Sequence, residues 1–276
     1  MQSLFDINPK QIAEARVLVH LACQPLSRAA RANRVAESDD SHSSFGWHAG
    51  YNALVTLPLG QAQRFQLGFG FSDVSVLWFE EDRIVDRLHV GDSDELGLNA
   101  WVDHHLVRAG LVSIAEAQMP YTLEATPDFA TLADMDREVR ILGDWFGVAH
   151  AVITEIVRAF GEIAVRPPSI RCWPHHFDLA VLLQLDEGDA EVARSVGVGL
   201  SPGDEHYDQP YFYCSPWPVS EATVLPELPS PLRWHTRGFT SALALAVDLH
   251  SGDDFGDLLA RSVENALRVL GVGREG

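Results

Sequence analysis

The sequence predicts an α+β fold made of two pseudo-symmetric α–β–α halves, with a mainly antiparallel sheet and long helices packed on it. Three observations support this prediction. Two long segments repeat their apolar residues at helical spacing, short β-rich segments joined by short turns follow each of them, and a further helix closes each series. Such short connections suit antiparallel pairing, because parallel strands need crossovers of about a dozen residues. We expect residues 1–112 and 134–276 to form the halves and 113–133 to connect them within one compact unit.

The first half is predicted to begin with a helix over residues 9–35. Asn8 and Pro9 are a typical helix start, because Asn can cap the first turn and Pro fits within it. Four strands are expected next, at residues 51–59, 65–71, 74–79 and 84–90. A second helix is predicted over 96–110, where Gly110 ends it.

The second half repeats this order of elements. A long helix is predicted over residues 134–160 and a closing helix over 255–270. Between them we expect strands at residues 169–173, 177–185, 193–200 and 210–215, with a further short strand at 232–235. The prolines of the last strands indicate positions at the edge of a sheet.

Two ungapped matches favour an internal duplication. Residues 47–55 (WHAGYNALV) align with 173–181 (WPHHFDLAV), and residues 67–72 (LGFGFS) align with 196–201 (VGVGLS). The alternating glycines leave one face of a strand free of side chains, so that a helix or backbone can approach closely. Chance similarity between β-rich segments is the alternative explanation.

Two motifs in the second half carry a resemblance to a known family. They are FDLAV at residues 177–181 and DQPYFY at 208–213. Both resemble paired motifs (FDLAV and D-x-P-x-FY) of an uncharacterised bacterial protein family, a domain of unknown function. The resemblance implies a shared α+β fold and no particular activity. His175 and His176 stand where that family has Gly and Ser, so a site built on this pair would not be common to the family.

Charge and composition limit the classes of partner. The net charge of −19 repels nucleic-acid phosphates and anionic lipids, so we expect neither nucleic acid nor a membrane as a partner. No apolar stretch is long enough for a membrane span, and no signal peptide is recognised. The three separated cysteines form no CxxC pair and fit a reducing compartment, which predicts a cytoplasmic location. Solubility alone is a sufficient reason for the acidic composition.

A candidate site is predicted in the second half. Its histidines and carboxylates stand just before two predicted strands, as His175, His176 and Asp178 and as Asp204, Glu205, His206 and Asp208. If these strand ends are adjacent, His176, Asp178 and His206 could hold a divalent metal. On a strand, His176 and Asp178 would face one side and His175 the other. The alternative is that the carboxylates are turn residues and the histidines are exposed.

Aromatic residues add a second reason to expect a ligand there. A cluster of Tyr207, Tyr211, Phe212, Tyr213 and Trp217 follows the acidic loop, and Trp234, His235 and Arg237 could join it. Such a cluster suits a pocket for a sugar or a cationic ligand, although core or interface packing is the alternative. The expected ligand-binding residues are Trp173, Asp178, Asp208, Tyr211 and Tyr213, and Glu205 or His206 would be the acid or base of an enzyme.

The sequence leaves two classes of function open. One is a small-molecule-binding protein or enzyme with its site in the second half. The other is a non-catalytic interaction protein that forms a homodimer through its aromatic edge. The G-x-S-x-G pattern over residues 199–203 is rejected as a hydrolase motif, because that motif needs a helix after Ser and an N–H that Pro202 lacks.

Overall fold

The computed structural model describes residues 4–62, 64–123, 125, 128–188, 192–220, 222–250 and 254–272. Five α-helices and eleven β-strands lie within these residues, which confirms the mixed α+β fold. The chain forms two compact units, described in turn. The N-terminal unit comprises Ile7–Gly147 and Arg171–Phe177, and the C-terminal unit comprises Met1–Asp6, Val148–Ile170 and Asp178–Gly276. This division differs from a single boundary at 113–133, because one long helix contributes to both units.

The N-terminal unit combines helices with six strands in the order β6-β1-β2-β3-β4-β5. Its elements are α1 (Pro9–Asn33), β1 (Phe45–His48), β2 (Ala53–Thr56), β3 (Phe65–Gly70), β4 (Ser75–Glu80), β5 (Arg83–His89), α2 (Glu95–Arg108), α3 (Phe129–Leu132), the first part of α4 (Asp136–Phe160) and β6 (Arg171–Cys172). All five of these pairs are antiparallel, and short connections join the strands of every pair except β6–β1.

The start of α1 is the one that the sequence predicts. The side chain of Asn8 accepts a hydrogen bond from the backbone N–H of Lys10, and Pro9 is the first helical residue. The helix packs its buried stripe on β2 and β3. On the same side of the sheet, Trp78 stacks on His105 of α2 with ring centroids 5.1 Å apart.

The opposite face of this sheet carries a small apolar cluster. Its buried members are Ala53, Val55, Leu77 and Phe79. Gly68 pairs with Val55 and Leu77 in the middle of this cluster. A Cβ at Gly68 would lie 3.0 Å from the Phe79 ring, so the glycine allows that ring to cross β3.

The C-terminal unit has strands in the order β10-β11-β9-β8-β7. Its elements are the second part of α4, β7 (Leu179–Gln184), β8 (Ser195–Ser201), β9 (Tyr211–Trp217), β10 (Arg233–His235), β11 (Ser241–Leu245) and α5 (Phe255–Val269). All four strand pairs are antiparallel. Strand β9 pairs with β8 on one side and on the other with β11, which lies further along the chain than β10. The edge position that its prolines indicated is therefore wrong for β9.

Helix α5 covers one face of the C-terminal sheet. Asp254 caps the helix by accepting a hydrogen bond from the backbone N–H of Asp257 at 3.0 Å. The apolar stripe of α5 packs on β8 and β9. Phe212 of β9 meets Phe255 of α5 with ring centroids 5.6 Å apart. Side chains alternate along a strand, so Tyr211 and Tyr213, the neighbours of Phe212 on β9, point to the opposite face.

Several elements differ from the sequence prediction. Strand β1 and strand β11 were not predicted, since β1 has four residues and β11 (SALAL) is rich in small residues of weak β-propensity. The strand expected at 177–185 begins at Leu179, because Phe177 has a φ of 59° that ends the preceding turn. His175 and His176 lie in that turn, so the alternation expected for His176 and Asp178 on a strand is wrong. No helix in the described part of the chain is long and apolar enough to cross a membrane.

Candidate ligand-binding site

Tyr213 lies across the surface of strand β8. It pairs directly with Gly199, and a Cβ at that glycine would stand 2.7 Å from the tyrosine Oη. The hydroxyl extends beyond β8 and donates a hydrogen bond to Oδ2 of Asp178, just before β7. Burial, together with the negative charge of Asp178, raises the pKa of Tyr213 well above its ordinary value. The phenol therefore stays protonated and remains a donor.

A second tyrosine–aspartate pair lies beside the first. Tyr211 donates a hydrogen bond to Oδ2 of Asp204 at 2.5 Å, and burial followed by this bond raises the pKa of Tyr211. The other oxygen of Asp204 accepts from the backbone N–H groups of His206 and Tyr207, at 2.7 and 2.9 Å. Both carboxylate oxygens of Asp204 therefore accept hydrogen bonds from within the protein, and these bonds hold the acidic loop in place.

Tyr207 and His235 form a hydrogen-bonded chain that ends on the backbone. The Tyr207 hydroxyl is 2.9 Å from Nδ1 of His235, and Nε2 of the same ring is 2.7 Å from the carbonyl oxygen of Arg237. A carbonyl can only accept, so Nε2 carries a proton. In the neutral ring Nδ1 then accepts from Tyr207, which fixes the direction of both hydrogen bonds.

A surface pocket of 340 Å³ opens beside this chain. We call it the aromatic pocket, and it is lined by His206, Tyr207, Trp234, His235, Thr236 and Arg237. The indole Nε1 of Trp234 donates to the carbonyl oxygen of Pro226 at 2.8 Å. Phe239 stacks on His235 with ring centroids 4.3 Å apart. Aromatic rings therefore surround the pocket, and hydrogen bonds hold two of them in place.

The charge of the aromatic pocket differs from that of the chain as a whole. Arg237 lies on its exposed rim, and its guanidinium forms no hydrogen bond or ion pair with any residue that the structure describes. The imidazole of His206 lies near the carboxylate of Glu205, with 3.7 Å between Nε2 and Oε1. An unpaired guanidinium next to aromatic rings suits a flat ligand that carries an anionic group.

Comparisons with known protein families, with curated proteins and with solved structures find no match to this chain.

The structure brings together some of the predicted site residues. Asp178 and Tyr213 are bonded across Gly199, and Tyr211 lies beside Tyr213 with ring centroids 6.3 Å apart. His206 lines the aromatic pocket with Trp234, His235 and Arg237, the three residues expected to join the cluster.

Other predicted site residues do not line the aromatic pocket. Asp208 and Glu205 are exposed, and neither lines the pocket. Trp173, His175 and His176 belong to the N-terminal unit, where the two histidine rings are 4.2 Å apart. Burial, and then the neighbouring His176, lowers the pKa of His175.

The expected metal ligands do not form a metal site. No group of three or more His, Cys, Asp or Glu side chains in the described ranges has an arrangement that could hold a metal ion. Asp178 already binds the hydroxyl of Tyr213 through Oδ2. The geometry therefore gives no support to a divalent metal on His176, Asp178 and His206.

Two contributors to the site were not predicted from the sequence, and a third, Gly199, has a partner that was not predicted. Thr236 and Phe239 belong to a turn between β10 and β11, and no motif marks them. Gly199 was expected to let a helix or backbone approach closely. The backbone carbonyl oxygen of Leu179 would lie 2.8 Å from a Cβ there, and the ring of Tyr213, which was not expected, would lie 2.7 Å away. The pairing of a glycine with a tyrosine on the next strand is the signal that could have identified it, once the register is known.

Proposed function

We propose that this protein binds a small molecule in the aromatic pocket, and that the ligand has a flat ring and an anionic group. One observation carries the proposal: the guanidinium of Arg237, without a partner among the described residues, lies on the rim of a 340 Å³ pocket walled by aromatic rings. This volume is within the usual range for small-molecule sites, roughly 300–1,000 Å³.

The walls of the pocket are held before any ligand arrives. Trp234 is fixed by its bond to Pro226, and Tyr207 by its bond to His235. Asp204 holds the backbone at His206 and Tyr207. Binding to a preformed site loses little side-chain entropy, so even a small ligand can gain affinity there.

If the site is catalytic, the pocket favours His206 over Glu205 as the group that transfers a proton. The side chain of His206 lines the pocket, whereas that of Glu205 is 87% exposed and lies outside the lining. A general acid or base must be within hydrogen-bonding reach of the reacting group. Glu205 would then have no direct contact with the ligand, and its carboxylate would affect only the imidazole of His206.

A homodimer is the second candidate function, and an exposed apolar patch favours it. Leu182 and Trp217 are 49% and 50% exposed. Their strand registers put both side chains on the face of Tyr213, opposite to the face that α5 covers. We define these two residues as the sheet patch, and its proposed occupant is the same patch of a second copy.

We infer further that the two units are pseudo-symmetric. Each has a sheet with one helix-covered face and a small apolar cluster on the other. The aligned segments nevertheless differ in register by one residue: Ala53 is opposite Gly70, whereas Leu179 is opposite Leu200 and not Gly199. A duplication with a later shift of one residue accounts for both observations.

The other expectations from the sequence remain proposals. Membership of the bacterial domain-of-unknown-function family rests on the FDLAV and DQPYFY motifs alone. A cytoplasmic location is supported by the three separated, buried cysteines, Cys23, Cys172 and Cys214, which form no CxxC pair. The net charge of −19 supports a partner that is neither nucleic acid nor a membrane.

Benzoate and benzamide test the proposed ligand class, because they have the same shape and differ in charge. We expect the protein to bind benzoate about tenfold more tightly than benzamide in isothermal titration calorimetry. Arg237→Gln should remove this preference. Arg233→Gln is the matched control and should retain it, since Arg233 is paired with Asp248 at 2.5 Å. Equal binding of both compounds to the wild type, or a preference that survives in Arg237→Gln, contradicts the proposal.

A further inference from the structure

The N-terminal unit has a larger pocket of its own, with a volume of 680 Å³. Helices α1 and α2 and the segment after α2 form its walls. The apolar part of the lining includes Leu21, Pro25, Leu98, Met119 and Phe129. We call this cavity the α1–α2 pocket. Its size and its apolar walls are those of a typical small-molecule site.

Two opposite charges line the α1–α2 pocket without neutralising each other. Arg28 of α1 is half-buried and donates a hydrogen bond from Nη2 to Oδ1 of Asn99 at 2.7 Å. Glu95 is the first residue of α2 and is exposed. Neither of these two charges forms an ion pair with a residue in the described ranges. The pocket therefore has a cationic and an anionic position, each available to a ligand.

The spacing of these two charges follows from helix geometry. Glu95 and Asn99 are four residues apart on α2, which corresponds to about 6 Å along the axis. Asn99 holds the guanidinium of Arg28, so the two charged groups are held at positions about one helical turn apart on α2. An α-amino acid carries both charges on one carbon and is too short to reach both positions. Two extended residues span about 7 Å and match the separation.

Two further polar residues of the pocket, Gln24 and Tyr121, form hydrogen bonds within the fold. The amide of Gln24 donates to the carbonyl oxygens of His20 and Pro174, at 3.2 and 3.1 Å. Its Oε1 lies 2.8 Å from the hydroxyl of Tyr121, and burial raises the pKa of that phenol. These hydrogen bonds hold α1 against Tyr121 and Pro174. Arg28 and Glu95 are therefore the charged groups of the lining that can select a ligand.

We propose that the α1–α2 pocket binds a short zwitterionic peptide, of dipeptide length and with apolar side chains. The carboxylate of the peptide pairs with the guanidinium of Arg28, and its ammonium group pairs with Glu95. The apolar side chains lie against Leu21 and Met119, two half-buried apolar residues of the lining. This site shares no residue with the aromatic pocket, so it stands or fails independently of the function proposed above.

Leucyl-leucine is the probe for this proposal, and its blocked forms test each charge separately. In calorimetry with the full chain, we expect N-acetyl-leucyl-leucine and leucyl-leucinamide each to bind about tenfold more weakly than leucyl-leucine. Free leucine should bind more weakly than the dipeptide, because it cannot reach both charges. If the dipeptide does not bind, or if its blocked forms bind equally well, the proposal is overturned.

Two variants assign the charges to their residues. Arg28→Gln should bind leucyl-leucine and leucyl-leucinamide equally, and Glu95→Gln should bind leucyl-leucine and its acetylated form equally. Arg83→Gln and Glu14→Gln change the same charges at exposed positions outside the pocket and should keep both preferences. Each test compares two peptides on the same protein, so a general loss of stability would not by itself remove the preference for one peptide over the other. If Arg28→Gln does not fold, Glu95→Gln and the wild-type peptide series decide. A preference that survives in Arg28→Gln, or in Glu95→Gln, overturns the assignment.

Discussion

The hydroxyl of Tyr213 crosses a neighbouring strand to donate a hydrogen bond to Asp178. The two residues come from strands that are not adjacent, since β8 lies between β9 and β7. Only a residue without a side chain leaves room for the ring above β8, and Gly199 stands at that position. The pair therefore links three strands on the sheet face that carries the candidate site.

Removing the hydroxyl of Tyr213 should destabilise the C-terminal unit. In Tyr213→Phe the half-buried carboxylate of Asp178 loses this charged hydrogen bond, which typically contributes about 1.5–3 kcal/mol. We expect a loss of this size in the free energy of unfolding measured with urea. Tyr51→Phe is the control, because the exposed hydroxyl of Tyr51 makes only a 3.4 Å contact. A double-mutant cycle with Asp178→Asn should give a coupling energy clearly above zero, and additive effects would refute the link.

Alanine at two neighbouring glycines of β8 should have opposite consequences. A Cβ at Gly199 would stand 2.7 Å from Tyr213 and 2.8 Å from the carbonyl oxygen of Leu179, so the ring must move. Gly199→Ala should therefore lower the free energy of unfolding by roughly 1–3 kcal/mol. A Cβ at Gly197 meets nothing closer than 3.9 Å, and Gly197→Ala should be neutral or slightly stabilising. Equal stability of the two variants would show that the ring does not need the space.

Local patterns explain why the helices were predictable from the sequence. Asn8 and Pro9 mark the start of α1, and the spacing of buried residues continues through it. The site was less predictable, because it depends on which strands are neighbours. Strand β9 pairs with β11 and not with the next strand in the chain, and this order brings Tyr207 to His235. Sheet order and register are tertiary properties that short sequence patterns do not encode.

The imidazole of His20 should make the stability of the N-terminal unit depend on pH. Its Nε2 lies 2.7 Å from the carbonyl oxygen of Pro174, and its ring stacks on Phe177. Burial lowers the pKa of His20 from 6.5 to about 4. Below pH 6.5 the imidazole of His20 therefore binds a proton in the unfolded chain but not in the folded protein. Stability is then lost progressively as the pH falls from 6.5 to about 4.

The measurement compares wild type with His20→Gln, which keeps a donor for the Pro174 carbonyl. Between about pH 7.5 and pH 5, the free energy of unfolding should fall by about 2 kcal/mol more in the wild type than in the variant. His104→Gln removes an exposed histidine and should leave the wild-type dependence unchanged. The same pH dependence in wild type and His20→Gln would contradict this prediction.

The sheet patch predicts self-association in solution. Leu182 pairs with Gly197, and Gly197 pairs with Ser215, two residues before Trp217. No side chain rises from Gly197, and a Cβ there would meet only Ser215, at 3.9 Å. The surface between the two apolar side chains is therefore open, and a two-fold axis would bring each patch against its copy. A stable interface needs about 1,000 Å² in total, so the surrounding face must contribute as well.

Light scattering at increasing protein concentration tests this association. We expect the wild type to become dimeric and the double variant Leu182→Ser/Trp217→Ser to stay monomeric, because each substitution removes exposed apolar area that the dimer would bury. Val107→Ser is the control, since Val107 is 65% exposed and lies outside the patch. Substitutions at exposed positions change folding stability little, so the thermal midpoint of the monomer should shift by only about 1–2 °C. A wild type that remains monomeric, or a double variant that still dimerises, would rule out this interface.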